Sequence, residues 1–316
     1  MTIRRGAAAA AALVCAAAAA ACGFGPGPSA EGEATLTVTR NFGAERLAEE
    51  TVVDPPASES VTRALDAVAE VETGYGGNFV ESIDGVEGRV EDGRRSDWFF
   101  FVNGYWSPVG AGEARVRPGD RIWWDYREWE EAYRVPAVVG SWPAPFTRGF
   151  EGPRLPTRVE CLGRAPECGV AAAALEREGV SVPVGGATGE RPGGTLRVLV
   201  GPWSRVRRDR AAGLIDGGPG TSGVYARFER GPAGWQLAVL DPRGEEGRRL
   251  ESGAGLVAAV RRGEREQTWI VTGTDRAGVR RAVELLDAEH LRDRYAVAVD
   301  DAGSALGVPA TTGARE

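Results

Sequence analysis

Trp98-Phe99-Phe100-Phe101-Val102-Asn103-Gly104-Tyr105-Trp106, then a Gly/Pro loop, then Gly119-Asp120-Arg121-Ile122-Trp123-Trp124-Asp125-Tyr126, is the stretch whose reading decides the fold. Between Trp98 and Trp129 lie five of the nine tryptophans, three consecutive phenylalanines and two tyrosines. Side chains alternate across a strand. Trp98, Phe100 and Val102 therefore share one face and Phe99 and Phe101 the other, while Ile122, Trp124 and Tyr126 oppose Trp123 and Asp125. Both runs read as strands with two apolar faces. One face belongs under a helix, where each buried ring contributes roughly 1.5–3 kcal/mol. The other needs a different cover: a second domain, an aromatic linker or a ligand. Tyr105, Trp106 and Pro108 fall in the loop after the first strand, where packing demands least, and are the candidate ligand contacts.

Outward from this core, 35–40 alternates and is β-branched, a first strand. Pro55-Pro56 punctuates, and Ser58 or Ser60 caps a helix expected to run to about Val71, with Val61, Ala64, Leu65, Val68 and Val71 as its stripe. Residues 74–77 break the chain before a strand at 79–83, Asp84-Gly85 makes a turn, and Pro118-Gly119-Asp120 makes another. A helix crossing one face of a small mixed sheet is β-grasp-like, and residues 34–130 are assigned to it. Residues 131–156 are rich in Pro and Gly yet hold Trp142, Phe146 and Phe150, a linker that must pack on something. Residues 157–300 read as a small α/β domain. Its strands are expected at 196–200, 224–228, 235–240, 268–271 and 295–299, and its helices at 206–215, 254–262 and 275–288, the last N-capped by Asp275. Residues 301–316 read as a disordered tail. The expected fold class is α+β: a β-grasp-like domain followed by a small α/β domain, after a signal peptide.

Residues 1–22 are that signal peptide: Arg4 and Arg5 precede an apolar run at 7–21, too short and too alanine-rich for a membrane span. Ala19-Ala20-Ala21-Cys22 is similar to a bacterial lipobox, with Ala19 where a larger aliphatic residue is usual. Lipidation of Cys22 is expected. Cleavage by the ordinary signal peptidase and lipidation of Cys15 after Leu13-Val14 are the alternatives. Residues 23–33 then form a flexible tether, and the membrane is met through the lipid anchor only. In an exported chain, Cys161 and Cys168 pair as a local disulfide.

Composition excludes several functions. The net charge of −7 argues against nucleic-acid binding. All 38 basic residues are arginine, so lysine Schiff bases and a Walker A loop are absent. The single histidine, His290, ends a helical stretch where it interacts favourably with the helix C-terminus. No Gly-x-Ser-x-Gly elbow, calcium loop or metal-ligand set stands out, and Asp216-Gly217-Gly218-Pro219-Gly220-Thr221-Ser222-Gly223 reads as a surface turn. The expectation is a binding protein without a resident cofactor or metal, not an enzyme.

Residues 60–67 and Tyr75 resemble the transcobalamin/intrinsic-factor C-terminal-like domain, a domain of unknown function in many bacterial surface proteins. So do Phe79-Val80-Glu81-Ser82-Ile83-Asp84-Gly85-Val86, Asp97-Trp98, Val102-Asn103-Gly104, Pro118-Gly119-Asp120 and Trp124-Asp125-Tyr126, in one order and spacing. The resemblance covers about a third of the chain and implies a β-grasp-like fold. It also implies ligand contacts at Trp98, Tyr105, Trp106, Pro108, Val109 and Gly110, with cobalamin or another corrinoid as the small-molecule ligand and a membrane uptake transporter as partner. In the animal carriers a helical barrel precedes the domain, whereas here an α/β region follows it. The second expected role is a non-catalytic cell-envelope interaction module whose aromatic face meets a protein or a glycan. A hydrolase of envelope polymers stands third.

Overall fold

The computed structural model describes residues 29–150, 154–186, 194–263 and 266–311; Cys22 and the rest of the signal peptide lie outside the described residues. The fold is mixed α+β and strand-rich, with several sheets and, among the described residues, no closed barrel. The first half comprises β1 (Glu33–Arg40), β2 (Glu45–Val53), α1 (Val61–Asp66), β3 (Val71–Gly74), β4 (Phe79–Ile83), β5 (Val86–Glu87), β6 (Arg89–Glu91), β7 (Arg94–Val102), β8 (Tyr105–Trp106) and β9 (Arg121–Glu128). Its main sheet has the order β2-β1-β9-β7-β6, with β8 paired to the end of β7. β1 and β9 are parallel, Val38 opposite Trp124, and the remaining pairs are antiparallel. A parallel pair needs a crossover, and α1 lies on that connection. Strands β3, β4 and β5 form a separate three-stranded leaf.

Ser60 caps α1 by accepting from the Arg63 N–H at 3.2 Å, and Val61, Ala64 and Leu65 are buried under it. The helix stops at Asp66, short of the expected Val71. Val71 instead opens β3, because Glu70 and Asp84 exchange hydrogen bonds that pull the chain into the leaf.

The second half holds α2 (Ala144–Thr147), β10 (Thr157–Cys161), α3 (Ala165–Arg177), β11 (Val184–Gly186), β12 (Leu196–Pro202), β13 (Ala226–Gly231), β14 (Gly234–Leu240), β15 (Glu246–Leu250), β16 (Gly255–Arg261), β17 (Gln267–Gly273), α4 (Arg276–Glu284), α5 (Ala288–Leu291), β18 (Ala296–Val299) and β19 (Ala305–Val308). Its seven-stranded sheet runs β11-β10-β12-β17-β16-β18-β19, parallel as far as β17 and antiparallel beyond it. Strands β13 to β15 form a meander.

Four expectations are corrected. Residues 254–262 are strand β16, not a helix: Leu256 to Val260 are buried on both faces between β17 and β18, and an all-apolar run carries no period. In the expected helix at 206–215 the chain leaves a one-turn helix at Val206 and enters a 3-10 turn, Ala212–Gly217. The tail does not end the fold at residue 300, since β19 pairs with β18 from Ala296↔Val308 to Val299↔Ala305. The expected helix at 275–288 divides at Leu285, after which Asp287 caps α5. Helix α3 had not been read from the sequence at all; eight of its thirteen residues are Ala, Gly, Pro or Cys, which blurs any stripe.

The two faces of the aromatic sheet have different covers. Trp98, Val102, Ile122, Trp124 and Tyr126 pack with α1. Phe101 and Trp123 pack against the second half, Tyr295 lying 5.6 and 5.2 Å from their ring centroids. Phe42 adds edge contacts to Tyr225 at 5.1 Å and Tyr295 at 5.0 Å. The 131–156 segment is core rather than spacer: Trp142 and Phe146 lie 5.5 and 4.9 Å from Trp269 on β17, and Phe150 stacks on Tyr105. Such rings dominate core energetics.

A buried polar joint crosses the same boundary. Asp125, wholly buried, accepts from Thr39 Oγ1 (2.6 Å) and the Gly43 N–H (3.1 Å) on one oxygen, and from the Phe42 N–H (3.1 Å) and Tyr295 hydroxyl (2.9 Å) on the other. Burial pushes its carboxyl up to about 6 against the pull of these donors and of Arg127. Arg127, also buried, donates to the Ala132 and Tyr133 carbonyls and lies 3.9 Å over the Phe99 ring. At the surface, Arg46 pairs with Asp293 and Arg292 with Glu49.

Candidate ligand-binding cleft

A cleft of about 460 Å³ opens where the β3-β4-β5 leaf meets β6, β7 and the end of β9. Phe79 and Trp129 form its aromatic walls, with Val90 at its edge. Phe79 is the first residue of β4, and alternation turns it outward with Glu81 while Val80 goes in. Its ring is 41% exposed, and Tyr75, 87% exposed, meets it edge-on at 6.4 Å. Tyr75 sits at φ +51 in the Tyr75–Gly77 turn, so the ring is held out by the backbone. Trp129 follows β9 and donates its N–H to the Arg95 carbonyl at 3.0 Å. The Arg95 guanidinium lies 4.1 Å over the indole and is bound by Glu130 at 2.7 Å.

The polar lining is mixed. Glu72, Glu81, Glu87 and Asp97 present carboxylates; Arg89 and Arg95 present guanidiniums; Ser96 presents a hydroxyl. Arg89 pairs with Glu91 at 2.9 Å. Burial raises the Asp97 carboxyl above its ordinary range, partly offset by the Trp98 N–H that it accepts at 2.8 Å. The Arg95 partner holds Glu130 below its ordinary range.

The residues singled out from the sequence do not line this cleft, and the structure does not bring them together. Trp98 is buried, its indole N–H donating to the Val86 carbonyl at 2.7 Å and its ring 5.2 Å from Tyr126. Tyr105 is fully buried, stacked on Phe150 at 5.2 Å, and with Trp106 forms β8 rather than a loop. Trp106 is half-buried, with the Arg134 guanidinium 5.2 Å over its ring and its carbonyl bound by Arg261. Pro108 is exposed; Val109 and Gly110 are half-buried in a turn closed by Ser107. A Cβ on Gly110 would meet Asn78 at 2.7 Å, so this loop is closed down on the Gly74–Asn78 turn. Phe79, Trp129, Arg95 and Asp97 line the candidate cleft and are not among the residues singled out from the sequence. The legible signal was an aromatic ring sharing the solvent face of a strand with a glutamate, at Phe79 and Glu81.

Residues 58–128 match a domain of unknown function, DUF4430. That span runs from before α1 to the end of β9 and contains every cleft residue except Trp129. No curated protein matches the chain. A crystal structure of a candidate metal-binding protein from Ruminococcus gnavus is similar over 31% of this chain and 99% of that one, at 19% identity and a TM-score of 0.25. Among the described residues, no three His, Cys, Asp or Glu side chains come together as a metal site.

Four other clefts among the described residues have no exposed ring in their lining. One of about 490 Å³ is lined by Arg115, Arg117 and Arg148, with Asp120 bound to Asn103 and the Arg117 N–H. The largest of these clefts, about 800 Å³, has no aromatic residue in its lining. His290 contacts Asp287 at 2.9 Å and lines none of these clefts. Cys161 and Cys168 form a disulfide with Cα atoms 5.7 Å apart, tying β10 to the start of α3. Among the described residues no helix is long and apolar enough to cross a membrane.

Proposed function

We propose that this chain is a non-enzymatic binding protein outside the cytoplasm, held to the membrane through a lipid on Cys22, which takes its ligand in the Phe79–Trp129 cleft. The carrying observation is that cleft itself: an exposed Phe79 ring and a half-buried Trp129 beside convergent polar groups match the usual make-up of a ligand site. The disulfide supports an oxidising compartment. Orientation supports presentation to the outside. The chain enters the fold where Ser29 bridges Pro56 and Gly32 abuts Pro118, at the start of β9, whereas the cleft lies at its end. Eight strand residues separate the two by about 26 Å. Replacing Cys22 by Ser should release the protein from membranes; unchanged retention would refute the anchor.

The finer reading, capture of a corrinoid for a membrane uptake system, rests on the resemblance of residues 34–130 to the transcobalamin C-terminal-like domain. The DUF4430 match falls within that span, at residues 58–128, and is silent on ligand. Calorimetry of the full chain with cobalamin and cobinamide tests it: saturable heat lost in Trp106→Ala supports corrinoid capture at the Trp106 loop, and its absence removes it. The interaction-module reading is favoured by the exposed Tyr75–Phe79 pair, a ring surface with no role in the core.

A further inference from the structure

We propose that the ligand of the Phe79–Trp129 cleft is a neutral carbohydrate. The inference rests on the reading of that cleft as the binding site and names its occupant. The chemistry of the lining selects the class. A cation would meet Arg89 and Arg95 across the cleft, with Arg95 already over the indole face. An anion would meet Glu72, Glu81, Glu87 and Asp97. An anion is therefore disfavoured by four carboxylates of its own sign, whereas both guanidiniums are already paired with Glu91 and Glu130, so a cation is the competing class that the spermine titration tests. A neutral polyol satisfies both sets at once, since each hydroxyl donates to a carboxylate and accepts from a guanidinium or from Ser96. Hydrogen bonds with one ionised partner are the stronger kind.

The apolar half of the cleft fits the same class. The C–H face of a pyranose is flat and weakly apolar; Phe79 offers it an exposed ring, and Trp129, whose face carries Arg95, borders the same space. Arg95 is held before any ligand arrives, by Glu130 and by the Trp129 ring, which limits the side-chain freedom it loses on binding. A volume of about 460 Å³ admits one or two sugar rings, and Tyr75 beyond Phe79 extends the ring surface for a longer chain. With the cleft at the end of β9 away from the chain's entry, a polysaccharide outside the bilayer could reach it.

The test titrates the full chain with neutral trisaccharides of glucose, mannose, galactose and N-acetylglucosamine, read by calorimetry and tryptophan fluorescence. Saturable binding of at least one is expected. Trp129→Ala and Phe79→Ala should each weaken it about tenfold or more, as loss of an aromatic anchor does. Phe79 is exposed, so its variant keeps the fold, which near-ultraviolet circular dichroism checks, and Asp97→Asn removes a carboxylate with little change of shape. Binding unchanged in both ring variants, or no binding of any trisaccharide, overturns the assignment. Saturable binding of cobinamide or spermine that Phe79→Ala abolishes, with saccharides inert, overturns the carbohydrate and leaves the cleft as a binding site. If none of these probes binds, both readings fall.

Discussion

Replacing Asp125 by Asn perturbs the joint between the two halves in a direction set by the structure. Each carboxylate oxygen accepts one backbone N–H, from Gly43 on one side and Phe42 on the other, so either amide rotamer turns a donor toward a donor. A buried group left without its partner costs about 1–3 kcal/mol. The charge acts in the opposite sense. Burial raises the Asp125 carboxyl from 3.8 to about 6, so the folded chain holds the proton more tightly than the unfolded chain. The stabilisation from that proton is complete below pH 3.8 and is lost as pH rises through about 6. A shift of two units corresponds to about 3 kcal/mol. Asn does not titrate. The variant should therefore be weaker than wild type by about 2–3 kcal/mol at pH 4, and the gap should shrink toward zero by pH 7.5. For a chain of this size the change is on the order of 3–5 °C in the difference of melting temperatures. Urea unfolding followed by tryptophan fluorescence, on both proteins across pH 4 to 7.5, measures it. A gap that widens with pH would show that the four donors outweigh burial and would refute the reasoning.

Three further outcomes follow from other contacts. Tyr295→Phe keeps the ring contacts to Phe42, Phe101 and Trp123 and deletes one hydrogen bond to Asp125; the loss should be about 1.5–3 kcal/mol in urea unfolding at pH 7.5, where the acceptor is charged. Gly278→Ala should destabilise although alanine favours a helix by about 1 kcal/mol, because its Cβ would lie 1.9 Å from the Ala254 carbonyl oxygen. Forcing atoms into a packed site costs typically 1–3 kcal/mol, so a melting temperature equal to or above wild type would contradict the packing of α4 on β16. Replacing Cys161 and Cys168 together by Ser should cost about 2 kcal/mol, the value for closing so short a loop, and reductant should then leave the melting temperature of the variant unchanged.

The candidate site was only partly legible in the sequence. The aromatic density between Trp98 and Trp129 lies in the same half of the chain as the candidate cleft, but most of those rings are buried. Tyr105 looked like loop because Gly104 and Pro108 flank it, yet its pairing with Val102 and stacking on Phe150 are contacts made by β8 and the 131–156 segment. Phe79 and Trp129 were in plain view as residues, but their solvent exposure depends on where the small leaf stops covering β7. Strand β16 was read as a helix because a run of Leu, Val and Ala suits either conformation until neighbours occupy both faces.

What the sequence determined by itself was local. The alternation of 98–102 and 121–127 dictated two apolar faces, Ser58 or Ser60 marked the start of α1, with Ser60 the cap in the structure, Asp84-Gly85 the turn between β4 and β5, and Asp275 the start of α4. Each is written in the period or capping chemistry of a few consecutive residues. Tertiary structure decided what covers the second aromatic face, through Tyr225 and Tyr295 more than a hundred residues further on, and which rings remain open. The reason is physical: burial depends on the atoms that arrive from elsewhere in the chain, and no local pattern encodes their arrival.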